Sequence, residues 1–67
     1  MNDEYLAQAC EVIEDREILV NLVSRRAKEL ARGGHPMVSI DRNERGNYLD
    51  IALREVAEGK ITFEITD

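Results

Sequence analysis

Residues 24–36 read SRRAKELARGGHP. Upstream lies REILVNLV, with apolar residues at helical spacing, so SRRAKELAR is the second half of one long helix. Asp15 stands at the N-cap position, Gly33 and Gly34 supply the stop, and Pro36 lies where a helix cannot resume. A helix over residues 16–32 follows, the longest element of a 67-residue chain.

At 100° per residue, Ile18, Leu19, Val20, Leu22, Val23, Ala27, Leu30 and Ala31 cover about 220° of that helix, roughly twice a core-facing stripe. Either the helix is central to its own chain or part of the arc faces another protein, and two further short helices offer little material for wrapping it. Arg26 falls near the middle of the arc, whereas Arg25, Lys28 and Arg32 fall on or near its polar edge. A guanidinium at that position needs an acceptor. It can snorkel to water along its own stem, or form a bidentate bond to a carboxylate or to backbone carbonyls of a partner.

Towards the N-terminus, Leu6, Ala9, Cys10 and Ile13 repeat at i, i+3, i+4 and i+7, which predicts a helix over 3–13 with Asn2 or Asp3 as its cap. Towards the C-terminus, residues 33–47 are rich in Gly, Asn, Asp and Arg, with only Met37, Val38 and Ile40 apolar, and read as a long loop. A third helix is expected over 48–58, capped by Asn47 and stopped by Gly59, with Leu49, Ala52, Leu53 and Val56 on its apolar face. Ile51 projects opposite that face, among Arg54, Glu55 and Glu58, and is expected to be exposed. In residues 60–66, Ile61, Phe63 and Ile65 alternate with polar residues, the pattern of an extended segment. The expected architecture is mainly α: one domain over 1–67, a small bundle of three short helices with a long loop before the third helix and an extended C-terminal tail.

So short a chain buries only about 60% of its unfolded surface and normally needs a staple. Cys10 is the only cysteine and His35 the only histidine, so neither a disulfide nor a Cys/His zinc site can be assembled, and a partner chain is the remaining candidate. The absence of a signal-like start, of a spanning apolar run and of paired cysteines points to a cytoplasmic protein without a membrane. The formal net charge is −5, concentrated in residues 1–17 and 50–67, while residues 24–32 carry +3. An acidic majority repels a phosphate backbone and argues against nucleic acid as the main partner.

No catalytic residue, cofactor site or metal site emerges. There is no Ser-His-Asp arrangement, and ARGGHP lacks the phosphate-cradling glycine pattern and reads as a helix stop. Cys10 reads as a small core residue, His35 as a turn residue, and the paired acids, Glu14-Asp15 and Glu55/Glu58, as solvated faces or as salt-bridge groups for a basic partner. A free-standing DNA-binding or regulatory helical module is the alternative, but its recognition helix would carry Asp50, Glu55 and Glu58.

The blocks SRRAKEL, ARGGHPMV and DIALREVAEGKI, in this order, resemble the omega subunit of bacterial DNA-directed RNA polymerase, over about residues 5–61. That family shows a double arginine in a long helix, then Gly-Gly and Pro, then an IALRE-type helix ending in Glu-Gly. The resemblance implies a noncatalytic subunit that clasps beta-prime and helps it assemble with alpha and beta. It implies a partner interface through Leu22, Arg25, Arg26, Ile51, Ala52, Leu53, Arg54, Glu55, Glu58 and Gly59. Some members help bind guanosine tetraphosphate through a basic N-terminus and the arginine that Arg54 matches; here the N-terminus is MNDEYL, acidic where that site wants a cation.

Overall fold

The computed structural model describes residues 2–61. Asn2 starts the first helix, α1 (Asp3–Val12), by accepting hydrogen bonds on its side-chain oxygen from the N–H groups of Glu4 (2.9 Å) and Tyr5 (3.2 Å). Asp15 does the same for α2 (Arg16–Ala31), accepting from the Ile18 N–H at 3.1 Å. Each cap satisfies N–H groups that the helix itself leaves unpaired.

The Gly33-Gly34 stop is a Schellman closure. The Gly34 N–H donates to the Glu29 carbonyl (3.0 Å) and the Gly33 N–H to that of Leu30 (3.1 Å). Gly33 sits at φ +102°, and a Cβ on Gly34 would meet the Glu29 carbonyl oxygen at 2.9 Å, so the two glycines serve different ends. The same closure ends α3 (Tyr48–Ala57), with Lys60 donating to Glu55 (2.8 Å) and Gly59 to Val56 (3.0 Å).

Within the loop over 33–47, residues Arg42–Glu44 form a 3-10 turn. Asn47 occupies the cap position of α3, but its side chain makes no bond to the helix N–H groups; its Nδ2 donates instead to Asp50 Oδ2 at 2.6 Å. Asp50 Oδ1 accepts from the Asn2 N–H at 2.7 Å, so one buried carboxylate joins the starts of α1 and α3. The expected bounds of the three helices hold to within one residue at their C-terminal ends. Beyond Lys60 and Ile61, the expected extended tail lies outside the described residues.

The central element is α3. It packs against α1 on one side and α2 on the other, while α1 and α2 barely meet. Leu53, Ala52 and Val56 are fully buried with Leu19 and Val23 of α2 and Ala9 of α1. Covering α3 on two sides overturns one sequence expectation: Ile51, read as exposed, is 1% exposed, because the face opposite Leu53 is also walled in. Part of the wide arc of α2 stays outside, with Leu19, Val23 and Leu30 buried, Ile18 and Leu22 half-buried, and Val20 exposed.

Candidate functional site

The acceptor that Arg26 requires is Glu55. Two parallel bonds, Nε to Oε1 (2.8 Å) and Nη2 to Oε2 (3.0 Å), form the bidentate fork that a planar guanidinium makes with a carboxylate. Nη2 also donates to the His35 carbonyl (3.0 Å), and Nη1 to Glu29 (3.1 Å) one turn along α2. Glu55, with no exposed surface, accepts in addition from the Met37 N–H at 2.9 Å. One ion pair therefore locks α2, the start of the loop and α3 together. No buried side-chain nitrogen or oxygen among the described residues lacks a partner, which such a pair requires if it is not to be a liability. The hydrogen bond from Arg26 to Glu55 holds its pKa above the ordinary arginine value, against the opposing effect of burial.

A second clamp lies one residue earlier on α3. Arg54 donates to Glu44 of the 3-10 turn at 2.7 Å, lies 3.8 Å from Glu58, and sits 5.7 Å from the centre of the Tyr5 ring. Its pKa is raised, first by the Glu44 bond. Arg54 thus ties the tip of the loop and α1 to α3.

The residues implied by the sequence fall into two sets. Ile51, Ala52, Leu53 and Glu55 lie inside the chain, with Arg26 nearly so; Arg54 and Leu22 are half-buried, while Arg25, Glu58 and Gly59 are exposed. The reading of Glu55 as part of a solvated face is corrected by its lack of any exposed surface. Glu44, Asp50, the His35 carbonyl and the Met37 N–H escaped the sequence reading. The signal for Asp50 was available in the Asn47-x-x-Asp50 spacing at the start of a helix; the two backbone groups carry no sequence signal.

Little in this arrangement suits groove recognition of DNA. Among the described residues no three His, Cys, Asp or Glu side chains are grouped to hold a metal, and no helix is long and apolar enough to cross a membrane. The third helix, which would have to enter a DNA groove, is the buried centre of the fold. What the outside offers is apolar surface on Val12, Val20, Met37 and Tyr48, between 38% and 50% exposed.

Residues 11–63 match the RNA polymerase Rpb6 family. The chain belongs to that family. Its similar relatives are omega subunits of DNA-directed RNA polymerase: that of Campylobacter lari is 49% identical over 51 residues, covering 76% of this chain and 69% of the relative. That of Helicobacter pylori is 42% identical over 66 residues, covering 97% and 88%, and that of a Sulfurovum species 39% over 64 residues, covering 94% and 93%. A comparison with solved structures returns no match. In this Rpb6-family chain the matched span takes in the last two residues of α1 and runs through α2, the loop and α3. It contains both members of the Arg26–Glu55 pair and both members of the Arg54–Glu44 pair.

Proposed function

We propose that the chain is a noncatalytic, omega-type subunit of a bacterial DNA-directed RNA polymerase that clasps the beta-prime subunit and so promotes its assembly with alpha and beta in the cytoplasm. The observation that carries this reading is the family match over residues 11–63, whose span coincides with the part of the chain braced by its two arginines. A frame held from within leaves its outer apolar residues available to a partner, and binding the folded form alone stabilises it by mass action.

On this reading the implied interface residues divide their work. Leu22, Arg25, Glu58 and Gly59 present surface, and Arg54 part of one. Arg26, Ile51, Ala52, Leu53 and Glu55 hold that surface in place from beneath. The nucleotidyl transfer chemistry stays with the larger subunits.

Affinity recovery of the tagged chain from its source cells tests the proposal. Beta-prime, accompanied by beta and alpha, is the expected yield. A folded chain that recovers no polymerase subunit, yet binds duplex DNA with an affinity falling steeply as salt rises, would replace this reading with the DNA-binding alternative.

A further inference from the structure

A shallow groove runs between the second half of α2 and the start of α3, with Ala27, Ala31 and Leu49 lining it together with Gly46 and Tyr48. Its lining is mostly apolar, and Tyr48, 38% exposed, offers the kind of large aromatic surface that anchors protein contacts. Lys28 lines it too. On the wheel of α2, Arg32 and Arg25 lie within about 60° of Lys28, on the side away from Ala27 and Ala31. Arg25, Lys28 and Arg32 thus form one exposed basic stripe along the flank of the groove.

Among the described residues these cations are unspent. Every ion pair among the described residues uses Arg26 or Arg54, and none uses Arg25, Lys28 or Arg32. Asn47, also in the lining, places its amide on Asp50 rather than on the first-turn N–H groups of α3. An apolar floor beside a positive flank, in a chain of net charge −5, is complementary to something both apolar and acidic.

Resting on the subunit reading above, we propose that this groove seats a segment of a larger polymerase subunit in which apolar side chains are flanked by Asp or Glu. The apolar side chains lie on Ala27, Ala31 and Leu49 beside Tyr48, and the carboxylates face Lys28 and Arg32. Small alanines on the floor let the segment approach the helix closely. A nucleic acid would leave the apolar floor unused.

The test titrates the labelled full chain with polymerase core lacking its omega subunit, at low and high salt. The double reversal Lys28→Glu/Arg32→Glu should weaken binding at least about tenfold, with helix content unchanged, and should remove most of the salt dependence. Arg16→Glu, 12 residues away at the other end of α2, should bind within about twofold of the unaltered chain, since its charge lies beyond a Debye length of the groove. Equal binding by the unaltered chain and the double variant overturns the groove while leaving the subunit reading intact. No binding by the folded, unaltered chain overturns both. Self-association abolished by the double variant would put a second copy in the groove. A lowered melting temperature with unweakened binding would put the chain's own acidic residues there, and either result also overturns the proposal.

Discussion

Arg26 of α2 and Glu55 of α3, 29 residues apart in sequence, face each other as a two-bond fork of 2.8 and 3.0 Å, with the carboxylate wholly inside the protein. Removing one partner strands the other, which is far more damaging than the net worth of the pair.

Arg26→Ala should therefore destabilise the free chain by about 3–5 kcal/mol, comparable with the whole stability of a domain this small. Replacing both partners together, as Arg26→Met/Glu55→Leu, should be milder than Arg26→Ala alone. Urea denaturation of the single and double variants checks this, and a double variant worse than Arg26→Ala would contradict the brace.

The sign of the linkage follows from the direction of the Arg26 shift. Its folded pKa lies above the ordinary arginine value, so the stability it contributes is fully present below that ordinary value and fades only as pH rises through the higher folded one. The coupling energy between Arg26 and Glu55, taken from a double-mutant cycle, should be the same at about pH 7 and about pH 9.5. A coupling that weakens across that interval would mean the guanidinium is not the charged partner.

The two glycines of the α2 stop should differ in kind. Gly33→Ala forces an L-residue into left-handed backbone and should cost about 1–2 kcal/mol. Gly34→Ala drives a methyl against the Glu29 carbonyl oxygen, a backbone atom, and should cost at least as much. Gly33→Asn should recover part of the first loss, since asparagine tolerates this conformation. Thermal melts of the three variants decide it.

Leu53→Asp places a carboxylate in the core and should abolish partner association by unfolding the chain, visible as lost helical circular dichroism. Arg42→Ala, on the exposed loop turn, should leave both helix content and association unchanged. An Leu53→Asp chain that keeps its helices but loses its partner would instead make Leu53 a direct contact.

How much of this was legible depended on what the residues could signal locally. Asn2, Asp15 and the Gly33-Gly34 and Gly59 stops marked the helices, because capping is decided within a few residues. Arg26 announced that it needed an acceptor. Its partner did not announce itself, since the sequence of α3 shows one apolar face and one face rich in charge. Ile51 and Glu55, four residues apart on that second face, were the clue: an apolar residue one turn before an acid, in a chain with an arginine stranded in an apolar arc. The sandwiching of α3 between α1 and α2 is a long-range property, and no window of sequence states it. The loop carried still less, because its ties run through Glu44, the His35 carbonyl and the Met37 N–H.

If the folded chain associates with beta-prime, titrating purified beta-prime with the labelled chain will register it. Binding should be saturable and one-to-one, and the melting temperature of the chain should climb with beta-prime concentration, as preferential binding to the folded state requires. A well-folded chain whose signal and melting temperature stay flat across the titration would contradict that association.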